Sequence, residues 1–185
     1  FAFQNCSSLT SVFLCNGTRS IGEEAFSGCT SLKEIYIAPT VNKIGSSALA
    51  NCTKIEKIVF GGEYFNINSA FGVSVSGTIY YPSKYASSWE SYSGSRKSSY
   101  NAPSSVSVSG KTKLTEGGST NLKITVSPAS GEFSDVYRLY SSNSAVISVN
   151  ESGKITAKAP GSAEITAVTV SGVLKTVSVM ASPAA

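Results

Sequence analysis

Cysteine thiols are the most regularly spaced reactive groups in this sequence. Of its four cysteines, Cys6, Cys29 and Cys52 follow one another at intervals of 23 residues. Neighbouring strands of a parallel ladder lie about 4.8 Å apart, within the roughly 4.4–6.8 Å Cα separation of a disulfide, so pairing is geometrically possible. All three, however, occupy one interior position of a repeat, and pairing two would leave the third alone. We therefore expect free, buried thiols that pack as small apolar side chains.

Catalytic and metal chemistry has few candidates. The chain has no His and a single Asp, Asp135, so it lacks the commonest general base and the commonest metal ligand. It also lacks G-x-S-x-G and S-x-x-K motifs, and its cysteines do not follow C-x-x-C spacing. The densest carboxylates, Glu23, Glu24 and Glu34, are expected to lie on solvated surfaces. We predict a protein that is not an enzyme and that holds no metal and no cofactor.

Charge and hydropathy limit the partners. The 15 basic and 11 acidic residues give a net charge of +4 without a basic arm, which argues against nucleic acid. No apolar run approaches the roughly 18 residues of a membrane-spanning helix, so we expect no membrane insertion within this sequence. We expect a monomer.

The 23-residue period extends well beyond the cysteines. The unit reads I-G-x-x-A-F-x-x-C-x-x-L-x-x-I-x-I, and one copy is too short to bury its own apolar residues, so copies must stack as a solenoid. Asn5 and Asn51, which precede repeat cysteines, are expected in turns. The apolar positions that keep the step are Leu9, Leu32 and Ile55; Val12, Ile35 and Ile58; and Leu14, Ile37 and Phe60.

The two ends of the repeat array differ. Phe1-Ala2-Phe3 aligns with Glu24-Ala25-Phe26, so we expect further repeats upstream. Downstream, Ile67, Ala70 and Phe71 form a degenerate copy with one residue lost, and residues 79–81 are predicted as a last strand. A helix over 83–92, capped by Ser83, would place Tyr85, Trp89 and Tyr92 on one face and cover the end of the solenoid.

A polar segment, residues 93–105, is predicted to separate two domains, 1–102 and 103–185. The second contains short alternating runs separated by turn pairs such as Gly117-Gly118 and Pro160-Gly161, the pattern of a two-sheet sandwich. Its Tyr137 and Tyr140 are expected in the core. The whole chain is thus predicted to be mainly β: a short solenoid with a small capping helix, followed by a two-sheet β-sandwich.

Two stretches carry family resemblances. IGEEAFSGCTSLKEIYI at 21–37 resembles the BspA-like leucine-rich repeats of bacterial surface proteins, a similarity that extends over residues 1–92. YSSNSAVISV at 140–149 and SGKITAKAPGSAEITA at 152–167 resemble the group 2 bacterial immunoglobulin-like domain. These resemblances imply a fold that is mainly β, with a short leucine-rich-repeat-like solenoid and its small capping helix followed by an immunoglobulin-like β-sandwich. They also imply an extracellular protein of the bacterial cell surface.

One face of the solenoid is the predicted ligand-binding surface. Strand alternation places Ser11, Glu34 and Lys57 in one outward column and Phe13, Tyr36 and Val59 in the next, with the aromatic rings exposed as a contact surface. An alternative is that these rings only fill the sheet surface.

The functional hypothesis is a non-catalytic, secreted or cell-surface binding and adhesion protein. Its solenoid sheet would recognise a host matrix protein, a cell-surface protein or a glycan, and its sandwich domain would act as a spacer. Two alternatives are accessory modules of a larger secreted enzyme, such as a glycoside hydrolase or peptidase, and a structural component of a surface layer.

Overall fold

The computed structural model describes residues 1–72, 75–94, 96–128, 132–133 and 136–184. The chain divides into two compact units. The solenoid unit comprises Phe1–Ala102 together with Val170–Gly172, and the sandwich unit comprises Pro103–Thr169 and Val173–Ala185.

A parallel sheet runs along the solenoid unit, with one strand for each coil of the chain. Its strand order is β1-β3-β5-β6-β7, and every neighbouring pair is parallel. A second, two-stranded parallel sheet pairs β2 with β4. The strands are β1 (Ser11–Phe13), β2 (Ser20–Ile21), β3 (Glu34–Ile37), β4 (Lys43–Ile44), β5 (Lys57–Phe60), β6 (Thr78–Pro82) and β7 (Lys97–Tyr100).

The repeated apolar positions form the solenoid core. Leu32, Ile35 and Ile58 are at most 1% exposed and stack on the equivalent side chains of adjacent coils. Those of the first coil, such as Leu9 and Val12, are only partly buried. Each coil buries its apolar side chains against its neighbours, as a solenoid requires.

Left-handed residues recur at one turn of each coil. Asn5, Gly28 and Asn51 occupy equivalent repeat positions and have φ values of 59°, 75° and 59°. Asn and Gly adopt this conformation at the lowest cost, which favours them before the repeat cysteines. Glu24 and Ser47, at another pair of equivalent positions, are also left-handed, with φ values of 50° and 55°. The prediction that Asn5 and Asn51 lie in turns is confirmed.

The buried cysteines bridge successive coils. The Sγ of Cys29 donates a hydrogen bond to Phe3 O at 3.1 Å, and that of Cys52 donates to Phe26 O at 3.2 Å. Burial raises the pKa of both thiols, that of Cys52 to about 11. All four cysteines are free, and Cys6, in the first coil, is exposed, contrary to the expectation of burial.

Backbone hydrogen bonds locate the shortening of the fourth coil. Phe26 N donates to Ala48 O, 22 residues ahead, at 2.9 Å, whereas the equivalent Leu49 N donates to Ala70 O, 21 residues ahead, at 3.0 Å. This one-residue shift agrees with the predicted degenerate copy.

The end of the repeat array differs from the prediction in two ways. The segment expected to be a linker contains β7, which hydrogen-bonds to β6 and is the last strand of the sheet. The helical segment, a 3-10 turn (Ser83–Tyr85) followed by α1 (Ala86–Trp89), therefore connects two strands and does not close the sheet. A strand in the ladder needs only backbone pairing, so a polar sequence such as Lys97–Tyr100 can form one.

The predicted helix cap is also wrong. Pro82 holds the N-cap position, and among the residues that the structure describes no side chain caps the 3-10 turn. Ser83 Oγ instead donates a hydrogen bond to Asn101 Oδ1 at 3.2 Å. The α-helix is also shorter than the predicted 83–92, because it ends at Trp89. Trp89 is fully buried, and Tyr85 and Tyr92, which lie before and after the α-helix, pack against the same core.

The described residues of the sandwich unit form nine strands. They form a sheet of order β12-β15-β16-β9, a sheet of order β10-β14-β13 and the pair β8-β11. The strands are β8 (Ser105–Ser109), β9 (Lys113–Thr115), β10 (Ser119–Asn121), β11 (Lys123–Ser127), β12 (Tyr137–Ser141), β13 (Ile147–Val149), β14 (Lys154–Ala157), β15 (Gly161–Thr169) and β16 (Leu174–Ser182).

Alternating side chains fill the sandwich core, with Ile147, Ile155 and Ile165 fully buried. Tyr137 is partly buried against Val106 and Val126, but Tyr140 is 43% exposed. The expectation that Tyr140 lies in the core is therefore wrong. On β12 it alternates with Leu139, which packs against the core, so its own side chain points away.

Candidate functional site

The structure aligns the predicted ligand-binding residues in two columns across β1, β3 and β5. Ser11 pairs with Glu34 and Glu34 with Lys57; two residues along each strand, Phe13 pairs with Tyr36 and Tyr36 with Val59. We call the first set the polar column and the second the apolar column. Their register follows from the 23-residue period, because equal coil lengths bring equivalent residues side by side.

The polar column lines an open cleft of about 350 Å³. Ser11, Glu34 and Lys57 are each partly buried at the starts of their strands. The other lining residues are Thr10, Lys33 and Glu56, which immediately precede β1, β3 and β5. We call this site, lined by these six residues, the strand-start cleft.

Backbone groups at the strand-start cleft are paired with one another. Lys33 N donates to Thr10 O at 2.9 Å, and Glu56 N donates to Lys33 O at 2.8 Å. These bonds continue the sheet ladder to the strand starts. The side chains are therefore the groups that this cleft offers to a ligand.

A buried tyrosine holds one carboxylate of the cleft. Tyr36 Oη donates a hydrogen bond to Glu34 Oε2 at 3.1 Å, and the tyrosine is only 4% exposed. A phenol fixed by its surroundings limits the rotamers of the carboxylate it binds. Glu34 is thus better ordered than an ordinary surface glutamate.

The apolar column is not the exposed aromatic surface that the sequence predicts. Tyr36 and Val59 are 4% and 0% exposed, and Phe13 is partly buried. Phe13 and Tyr36 contact each other, with ring centroids 5.6 Å apart. Alternation along a strand decides which side of a sheet a residue faces, but it does not decide whether that side is covered.

Sequence reasoning missed half of the strand-start cleft. Strand alternation assigns Thr10, Lys33 and Glu56 to the opposite face from the polar column. These residues precede the strands, however, so the alternation of a regular strand does not apply to them. A signal was available, because the position before each of these three strands holds a polar residue in every coil.

The described residues contain neither a grouped set of metal ligands nor a membrane-spanning helix. Within residues 1–72, 75–94, 96–128, 132–133 and 136–184, no three His, Cys, Asp or Glu side chains are grouped as metal ligands would be. In those ranges the helices are also too short and too polar to span a bilayer.

Two family models match the chain in succession. The model of the BspA type leucine-rich repeat region matches residues 1–113 in six copies, and that of the bacterial Ig-like domain (group 2) matches residues 103–179. Both families are typically non-catalytic modules of bacterial surface proteins, and no catalytic family is found. No curated protein matches the chain.

Solved structures give weaker similarities. An intimin mutant of EHEC O157:H7 is 23% identical over 44% of this chain and 44% of its own, with a TM-score of 0.30. A C-terminal intimin fragment in complex with the intimin-binding domain of the translocated intimin receptor is 22% identical over 46% and 32%, with a TM-score of 0.32. The S-layer protein rSbsC is 17% identical over 48% and 16%, with a TM-score of 0.34. Similarities at this level support no conclusion about function.

Proposed function

Because the chain belongs to the BspA-type leucine-rich repeat family and continues into a group 2 bacterial immunoglobulin-like domain, we propose that it is a non-catalytic binding and adhesion protein. It acts outside the cell, at the bacterial surface. The solenoid sheet recognises a partner on a host matrix or a cell surface, and the sandwich unit serves as a spacer.

The polar column supports this assignment most directly. Ser11, Glu34 and Lys57 lie side by side on consecutive strands, where the ladder fixes their spacing at about 4.8 Å. A row of polar side chains on a backbone held by the sheet ladder suits a recognition surface, because the backbone loses little conformational entropy when a partner binds. The burial of the apolar column shifts recognition toward this row.

A binding screen with the whole chain tests the proposal. The chain is applied at micromolar concentration to immobilised matrix proteins, mucins, glycans and whole cells. It is compared with the double variant Glu34→Lys, Lys57→Glu, which keeps the net charge and leaves opposite charges facing each other across the ladder.

A matched control carries the same two changes elsewhere on the solenoid unit. Lys54→Glu, Glu63→Lys also keeps the net charge, and both residues are exposed and lie outside the strand-start cleft. We expect the control to bind as the parent does and the polar-column variant to bind at least about tenfold more weakly. Failure of the folded parent chain to bind any surface would refute the proposal.

A further inference from the structure

We infer that the strand-start cleft is a subsite for an uncharged saccharide unit. This inference rests on the proposed function and names the chemistry that the solenoid sheet recognises. It follows from the residues that line the cleft, the balance of their charges, the orientation of the Glu34 carboxylate and the size of the cleft.

All six residues that line the cleft have polar or charged side chains. Two hydroxyls, two carboxylates and two ammonium groups line it, contributed by Thr10, Ser11, Lys33, Glu34, Glu56 and Lys57. No apolar side chain among them offers the hydrophobic anchor pocket typical of a protein hot spot. A sugar hydroxyl both donates and accepts hydrogen bonds, so one saccharide satisfies carboxylates and ammonium groups together.

The charges in the cleft balance. Lys33 and Glu34 are contributed at the start of β3, and Glu56 and Lys57 follow in the reverse order at the start of β5. An acidic polysaccharide or a polycation would meet equal numbers of favourable and unfavourable charges, so the local potential selects for neither. An uncharged ligand suffers no such conflict.

The acceptor Glu34 is preorganised. Tyr36, itself buried, donates to one carboxylate oxygen, and the sheet ladder fixes the backbone beneath it. Hydrogen bonds from a sugar hydroxyl to an ionised carboxylate are roughly twice as strong as those between neutral groups. Glu34 is therefore the residue whose removal should cost the most affinity.

The size of the cleft fits a small ligand. Its volume of about 350 Å³ lies near the lower end of the roughly 300–1,000 Å³ typical of small-molecule sites. A cleft of this size holds a terminal sugar or a short branch, whether it belongs to a glycoprotein or to a free polysaccharide.

Cross-strand pairing offers a purely structural explanation for the same charges, because opposite charges facing each other across a ladder are stabilising. Glu34→Lys, Lys57→Glu keeps opposite charges across β3 and β5 but exchanges the acceptor and the donor that a ligand would meet. A structural role predicts unchanged behaviour in every binding assay, and a saccharide site predicts lost binding.

The experiment is a glycan array with solution titration of any hit. It contains neutral glucans, galactans, mannans, chitin oligomers and N-acetyllactosamine beside sialylated, sulfated and heparin-type glycans. We expect binding to a class of neutral glycans. The affinity should change less than about twofold between roughly 0.05 and 0.5 M NaCl, because salt screens the attraction of charged ligands only.

Variants separate the site from the fold. Glu34→Ala and the polar-column double variant should each lower the affinity for the neutral glycan at least about tenfold, while the control Lys54→Glu, Glu63→Lys stays within about twofold. Chemical unfolding of every variant identifies any that fails to fold. If Glu34→Ala fails to fold, Ser11→Ala, which removes only a hydroxyl, is tested in its place.

Each outcome is informative. If the chain no longer binds a mucin after enzymatic removal of the mucin's glycans, the saccharide comes from a glycoprotein. If the chain binds the free polysaccharide, the saccharide comes from a polysaccharide. Both results support the inference. Binding restricted to charged glycans or to deglycosylated proteins would overturn the saccharide assignment and leave the proposed function standing. Failure to bind any glycan, protein or cell would overturn both.

Discussion

Removing Trp89, the single tryptophan of the chain, should destabilise the solenoid unit strongly. Its ring is fully buried and lies 4.8 Å from Phe60 and 5.1 Å from Tyr81, measured between centroids. Its indole Nε1 donates a hydrogen bond to Gly62 O at 3.1 Å. A residue of the connection between β6 and β7 thus fills the core beneath the sheet.

The expected cost follows from these contacts. Trp89→Ala leaves a large cavity, and truncations of buried aromatic residues to alanine cost about 3–5 kcal/mol of stability. Trp89→Phe keeps most of the ring but leaves the buried Gly62 carbonyl without its donor, at a cost of about 1–3 kcal/mol. For a unit of about 100 residues, 1 kcal/mol corresponds to roughly 4–8 °C in melting temperature, so the alanine variant should melt at least about 12 °C lower.

Thermal and urea unfolding followed by circular dichroism measures both variants, since tryptophan fluorescence is lost with the residue. The fluorescence of the parent chain identifies the transition that belongs to the solenoid unit. Ser87→Ala, an exposed position on the same short helix, is the matched control and should change stability by less than about 0.5 kcal/mol. If Trp89→Ala unfolds at the midpoint of this control, the assignment of Trp89 to the solenoid core is wrong.

Three further predictions concern the repeat coils and the end of the sheet. Gly45→Ala should cost about 1–3 kcal/mol in chemical unfolding, because the alanine Cβ would clash with the backbone of Glu23. The equivalent Gly22→Ala, where no described residue lies within 4 Å of the new Cβ, should be nearly neutral, and equal effects would contradict this packing. Iodoacetamide at about pH 8 should alkylate exposed Cys6 first, because a pKa of about 11 leaves Cys52 about one part in a thousand ionised; mass spectrometry showing Cys52 modified first in folded protein would refute this order. Tyr100 Oη donates a hydrogen bond to Phe60 O at 2.8 Å, and burial raises the pKa of this phenol. The contribution of Tyr100 to stability is therefore present below the unfolded pKa of about 10 and is lost as the pH rises from there through the higher folded pKa. Tyr100→Phe should flatten the alkaline fall in stability measured by urea unfolding, and an unchanged fall would exclude Tyr100 as the cause.

The candidate site was only partly predictable. The polar column of Ser11, Glu34 and Lys57 was identified because a constant period aligns equivalent residues whatever surrounds them. Thr10, Lys33 and Glu56 were missed, because the alternation rule holds inside a strand and fails at the residue before it. The anchoring of Glu34 by Tyr36 depends on a side-chain rotamer, which no periodicity specifies.

The sequence by itself determined the repeat, the parallel register of the coils, the turns at Asn5 and Asn51 and the presence of a second, β-sandwich unit. These features are local or strictly periodic: each follows from the residue types in one 23-residue coil, or from the step between coils. Only the tertiary structure decided that Tyr36 and Val59 are buried, that Lys97–Tyr100 adds a strand to the sheet and that Trp89 packs beneath it. Burial depends on what lies over a surface, and a ladder edge accepts any backbone with free donors and acceptors, so neither is encoded in the pattern of a single segment.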